Sequence, residues 1–260
     1  MRKERWGIGA SSVAALVLAC ASTASANLTT VHAPAAGEQS QYQILSHVYG
    51  GTFNGAAGYS APWYTNGTVT ATRVDDFFLA GGVPVPGTDL HLVDVPAPGN
   101  TDQQWVDGIA LASAEAKFAA YSQKFGYKDV GSYVNLFDVT GSQYAVSGDA
   151  SHQFSMGVPW NWARSGQGGN FYSQQSANQD KSDHMVTYQI SGLAGLDPGE
   201  TVWMLFWEDL PGSFTSGSSD RDFNDLAVEV RATPVPLPGA DILAMIGFAG
   251  LSVLRYRRKA

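Results

Sequence analysis

The chain has 260 residues, of which 44% are hydrophobic and 15% charged, with a single cysteine. That is enough apolar material for a sizeable core and too much for an extended disordered chain, and one thiol leaves no partner for an intrachain disulfide or a cysteine-based zinc site. With 23 acidic against 15 basic residues the net charge is −8 at pH 7, which argues against a nucleic-acid partner, because that binding depends on positive charge.

Residues 1–26 have a basic start (Arg2, Lys3, Arg5), an apolar run over 8–21, and Ala24-Ser25-Ala26. This is the tripartite layout of a secretory signal, with small residues where signal peptidase cuts, so cleavage is expected before Asn27. Two alternatives stand beside it. One is a lipoprotein signal built on Cys20, although Leu18 stands where a small residue is usual; the other is a buried apolar helix. With the signal removed, the exported middle, residues 27–233, has no thiol. It holds eight basic and 21 acidic residues, a net charge of −13. Such a surface attracts divalent cations; solubility alone is the plainer explanation.

Alternating apolar and polar runs occupy 41–49, 68–74, 133–139, 185–190, 202–207 and 226–230. Turn-formers separate them, among them Gly50-Gly51, Gly81-Gly82 and Asp197-Pro198-Gly199. Short strands so punctuated predict a mainly β protein, an antiparallel, jelly-roll-like β-sandwich. One stretch reads differently. Over 102–125 the residues Ile109, Ala112, Ala116, Ala119 and Ala120 recur near helical spacing, Asp102 offers a cap and Gly126 a C-terminal stop. This predicts one long amphipathic helix packed beside the sandwich.

Aromatic residues cluster at Trp63-Tyr64 and at Trp160-Asn161-Trp162. Trp160 and Trp162 share a face if that segment is extended, so they form either a ledge for stacking on sugar rings or a piece of core. The densest chemistry is Glu208-Asp209, then a polar loop, then Asp220-Arg221-Asp222-Phe223-Asn224-Asp225 before the last strand. Asp220, Asp222 and Asn224 stand at i, i+2 and i+4, and a hairpin brings Glu208 and Asp209 to the same edge. Oxygens so spaced suit Ca²⁺, which takes about six to eight of them. The competing reading is an Asx-rich turn whose carboxylates cap backbone amides. Phe223 is expected to point into the core.

Asp220, Asp222, Phe223, Asn224 and Asp225, followed by a strand and preceded by Glu208-Asp209, resemble the DUF4114-type module of bacterial exported proteins. Residues 183–188 and 47–51 look like other recurrent pieces of such proteins, so the resemblance is expected over most of the middle. It implies calcium binding and a surface location more than an activity. No His-x-x-x-His pair, Gly-x-Ser-x-Gly elbow or nucleotide loop appears, so no catalytic residue is expected. A glycosidase pair drawn from Glu208, Asp209 and the Asp220 loop is a third possibility.

The chain closes with Val235, Pro236, Leu237, Pro238 and Gly239, an apolar run over 240–254, and a basic end with Arg255, Arg257, Arg258 and Lys259. At 1.5 Å per residue the run reaches about 23 Å, short of the ~30 Å hydrocarbon core but able to cross with local thinning. The cations keep the tail cytoplasmic; a buried helix is the alternative. Prolines, short apolar helix and terminal arginines together resemble the VPLPA-type variant of PEP-CTERM sorting signals. Leu237 between the prolines and Gly239 depart from its commonest form. The resemblance implies a membrane anchor over 234–260, an exosortase-like processing enzyme, and retention at the envelope or release to the extracellular matrix. Together these readings give an exported, non-enzymatic, structural or adhesive protein, with a carbohydrate-binding module as the alternative.

Overall fold

The structure, a computed structural model, describes residues 29–55, 58–73, 91–94, 103–106, 109–154, 160–212 and 219–233. In chain order, α1 (Gln41–Tyr49) is followed by β1 (Trp63–Thr65), β2 (Thr70–Arg73), β3 (His91–Asp94), β4 (Gln103–Val106) and β5 (Ile109–Ala116). Next come β6 (Gln123–Lys128), β7 (Tyr133–Ser142), β8 (Ala145–Ser147), β9 (Asp149–Gln153) and β10 (Asn161–Gly166). The last are β11 (Gly169–Tyr172), β12 (Met185–Ser191), β13 (Thr201–Trp207) and β14 (Leu226–Thr233). A seven-stranded sheet runs β1-β2-β12-β13-β14-β5-β9, a five-stranded sheet runs β11-β10-β6-β7-β8, and β3 pairs with β4. All described pairings are antiparallel. The mainly β expectation holds.

β13 explains how the layers stack. Its run Val202–Trp207 is apolar at every position, and successive side chains of a strand point to opposite faces. Trp203, Leu205 and Trp207 enter a core shared with Phe125, Phe137 and Trp162 of the five-stranded sheet. Val202, Met204 and Phe206 enter a second core with Ile44 and Leu45 of α1 and with Phe53, Tyr64 and Tyr188. A continuous apolar run is what a strand buried on both faces requires. The central sheet is therefore covered by the smaller sheet on one side and by α1 with its flanking segments on the other.

Two elements exchange their expected identities. Residues 41–49, read as a strand, form the single α-helix among the described residues. The deciding feature is Ser40 with Gln43 three residues on: the Ser40 N–H donates to Gln43 Oε1 at 2.8 Å, the reciprocal arm of a capping box. Ile44 and Leu45, both fully buried, then face the sheet. Conversely, the long helix expected over 102–125 is absent where the structure describes that segment, which instead holds β4, β5 and the start of β6. Alanine satisfies either period. In β5 the pattern that wins is alternation, with Ala110, Ala112 and Ala116 buried and β14 and β9 pairing on its two edges. Gly126, expected to stop that helix, sits at a bulge between β6 and β7, where a Cβ would lie 1.9 Å from the Val134 carbonyl oxygen.

Among the described residues no helix is long and apolar enough to cross a membrane. The signal expected over 1–26 and the anchor expected over 234–260, including Val235, Pro236, Leu237 and Pro238, lie outside the described residues.

Candidate metal centre

The acidic loop is held in place from both sides. Phe223 is fully buried in the outer core, as expected, and it adopts φ 54° while Arg221 adopts φ 58°. A bulky side chain in the left-handed region costs about 1–3 kcal/mol and persists only where its surroundings insist on it. The insistence comes from several bonds. Arg221 N–H donates to Glu208 Oε2 at 2.9 Å, its carbonyl accepts from His32 N–H at 3.0 Å, and Asp209 N–H donates to Asp225 Oδ2 at 2.7 Å. Alternate left-handed residues turn Asp222 and Asn224 inward, and both are nearly inaccessible.

The six residues expected to share one ion fall into two adjoining groups. Glu208, Asp209 and Asp225 offer oxygens within 4.8 Å of one another, and so do Asp220 and Asp222 together with Glu38. Two oxygens on opposite sides of one calcium-sized cation are up to about 5 Å apart, so each group has the span of a single ion. Glu38 was not expected. It lies just ahead of the Ser40 cap of α1, and nothing in its own sequence surroundings marks it as a partner for a loop near the far end of the chain. Next to it, the Gln39 carbonyl accepts from Asn224 Nδ2 at 3.1 Å.

Asn224 joins the second group through its nitrogen. Nδ2 donates to Asp222 Oδ2 at 2.7 Å and, more weakly, to Glu38 Oε2 at 3.4 Å, while Oδ1 is buried and accepts from no group. Exchanging the two amide atoms would set Oδ1 against three other oxygens, which is repulsive unless a cation lies between them. The nitrogen thus stands where a cation would neutralise the same oxygens. The result is a group of carboxylate oxygens from Glu38, Asp220 and Asp222, with the Asn224 amide and the Gln39 carbonyl beside it.

The electrostatics run the same way. Burial first, and neighbouring carboxylates second, push Asp222 up to about 8 and Asp225 up to about 10. Burial likewise raises Glu208, Asp209 and Asp220. Arg164 approaches the first group, yet its guanidinium donates to the Asp209 carbonyl at 3.0 and 3.3 Å and to Gln123 Oε1 at 3.1 Å. Gln123 in turn donates to Asp209 Oδ2 at 2.6 Å. The turn reading is also partly realised, since Asp222 Oδ1 accepts from Asn224 N–H at 3.2 Å. A carboxylate has about four lone-pair sites, so such amide bonds leave oxygen capacity for an ion.

Residues 144–233 match the model of a domain of unknown function, DUF4114. No curated protein matches the chain. The DUF4114 match takes in Glu208, Asp209 and the whole 220–225 loop. It is narrower than the likeness expected over most of 27–233, and it leaves out Glu38, β5, β6 and β7. Within it, His184 bonds Asp180 (Nε2 to Oδ2, 2.9 Å) rather than its neighbour Asp183, and it stacks on Phe171 at 3.7 Å. Burial would raise Asp180, but the bonds from His184 and from Gly212 N–H prevail and hold it below the usual carboxylate range.

Of the two readings of Trp160 and Trp162, a ledge or a piece of core, the structure shows the core. Both are at or below 2% exposure, 4.4 Å apart in the core between the sheets, and Trp160 stacks on Phe154 at 3.6 Å. Aromatic area of this size is worth more buried than exposed, and the second sheet supplies the cover.

Proposed function

We propose that the chain is an exported, non-enzymatic β module whose acidic loop binds Ca²⁺, held at the cell envelope or passed to the extracellular matrix in a structural or adhesive role. The observation that carries this reading is the group of Glu38, Asp220 and Asp222, whose carboxylate oxygens lie within 4.8 Å of one another with the Asn224 amide nitrogen bonded to two of the three residues. An all-oxygen donor set of carboxylates, a side-chain amide and a backbone carbonyl suits a hard cation of calcium type. Burying so many carboxylates is costly without a counter-ion.

Export rests on the leader and tail compositions: signal peptidase acts before Asn27, an exosortase-like enzyme acts at the Val235–Pro238 motif, and the apolar segment anchors the chain in the membrane. A hydrolytic reading is disfavoured by access, because Glu208, Asp209 and Asp222 are each at or below 2% exposure and a glycosidic bond could not reach them. Thermal melting of the full chain tests the calcium reading. Calcium raises the melting temperature of chelator-treated protein, and Asp222→Ala removes the rise. An unchanged melting temperature in saturating calcium refutes the assignment.

A further inference from the structure

Of the seven tryptophans, Trp105, Trp160, Trp162, Trp203 and Trp207 are buried to 2% exposure or less, whereas Trp63 remains 41% exposed. An indole left in water on β1, an edge strand of the seven-stranded sheet, while these five are buried, lacks a packing explanation. It borders an open cleft of about 420 Å³ that also includes Thr52, Asn54, Gly55, Thr65 and Asn66, within the ~300–1,000 Å³ range of small-ligand sites.

The cleft is preformed. Asn54 and Thr65 exchange backbone hydrogen bonds of 3.0 Å in both directions. Asn66 Oδ1 accepts from the N–H groups of Thr68 and Val69, and its Nδ2 donates to the Gly50 carbonyl at 2.9 Å. Gly55 packs so closely that a Cβ would lie 2.5 Å from the Tyr64 ring. The Asn54 amide, by contrast, makes one long bond of 3.3 Å, to the Thr52 carbonyl, in an exposed position. It is thus free to be redirected to a ligand.

We propose that this cleft binds a neutral hexose ring of a polysaccharide, with the indole of Trp63 stacking on the C–H face of the sugar and Asn54 and Thr52 bonding its hydroxyls. A pyranose has one apolar face and a polar rim, which matches a flat aromatic ring edged by an amide and a hydroxyl. Neutrality follows from the lining, which contains no charged residue, and from the −13 charge of the surrounding middle, which repels uronate polymers. The site gives the proposed matrix association a ligand class, and its lining shares no residue with the acidic groups.

The test is titration of the full chain, with calcium and with chelator, against cellohexaose and mannohexaose, with oligogalacturonate as the anionic probe, followed by calorimetry and tryptophan fluorescence. At least one neutral oligomer binds saturably. Trp63→Ala and Asn54→Ala each weaken binding by tenfold or more, and Trp63→Phe retains part of it. Melting temperatures show that the variants remain folded, and calcium uptake by them is unchanged. Failure of both neutral oligomers to bind, preference for the anionic probe, or equal binding by Trp63→Ala and wild type would overturn the proposal, and each leaves the calcium titration as a separate result.

Discussion

Asn224 Nδ2 lies 2.7 Å from Asp222 Oδ2, and the oxygen of that same amide is buried with nothing to accept. This pair states the energetic problem of the acidic loop. The amide nitrogen supplies a fraction of a positive charge where several oxygens converge, at the expense of an unsatisfied buried acceptor, which costs about 1–3 kcal/mol. A cation would let the amide turn its oxygen inward and relieve both defects.

The first prediction concerns pH. Asp222 and Asp225 are raised in the folded, ion-free protein, to about 8 and about 10, above the ~3.9 of an unfolded aspartate. The folded state therefore binds more protons than the unfolded state across that interval. The contribution of these two groups to stability is fullest below about pH 4 and falls as pH rises towards 8 and beyond. Chelator-treated protein should melt at progressively lower temperature from pH 5 to pH 8. Saturating calcium should flatten or reverse that slope, since the ion favours the deprotonated carboxylates.

A second prediction follows from the same repulsion. Asp222→Asn removes one buried charge, and the unpartnered Asn224 oxygen can accept from the new amide. In chelator at pH 8 the variant should melt higher than wild type, and in saturating calcium it should melt lower. At calcium a hundredfold above Kd, binding contributes about 2.7 kcal/mol, enough to set that order. Parallel melting curves in both conditions would show that Asp222 does not contact the ion.

Glu38 gives a third. It links the segment ahead of α1 to the loop before the last strand, β14, and His32 N–H to the Arg221 carbonyl is the adjoining backbone tie. An ion there acts as a cross-link in a domain without disulfides. Limited proteolysis near residues 29–39 should be slowed by calcium in wild type, and the protection should be largely lost in Glu38→Gln. Mass spectrometry of the fragments reads the outcome.

The strand assignment of the alanine-rich segment can be checked by Gly126→Ala. On a left-handed helix end this change would cost about 1 kcal/mol. At the β6–β7 bulge the added methyl meets the Val134 carbonyl at 1.9 Å, so a loss of about 1–3 kcal/mol or more is expected from denaturant unfolding.

How much of this was legible depended on whether a local pattern had one meaning. The runs at 185–190, 202–207 and 226–230 became β12, β13 and β14 because short runs rich in β-branched and aromatic residues between turns have few alternatives. Residues 41–49 were misread because Tyr42, Ile44 and Val48 fit an alternating period while Ile44, Leu45 and Val48 fit a helical one, and the Ser40–Gln43 capping pair was the signal to weigh. Ala110, Ala112 and Ala116 misled for the opposite reason: small side chains carry almost no period of their own, and pairing with β14 and β9 decided their state. The loop carboxylates were visible as a spacing, whereas Glu38 was not, since its approach to Asn224 spans 186 positions and is created only by α1 docking on the central sheet. Trp160 and Trp162 were placed on one face correctly, but which sheet covers that face is not written locally.

Isothermal titration of Ca²⁺ into the chelator-treated full chain at pH 7, repeated in buffers of different ionisation enthalpy, bears most directly on the acidic loop. Saturable uptake accompanied by net proton release, with the high-affinity step lost in Asp222→Ala, is the expected result. Absence of uptake in the wild type, or uptake identical in the variant, would contradict a cation site built on Asp220, Asp222, Asn224 and Glu38.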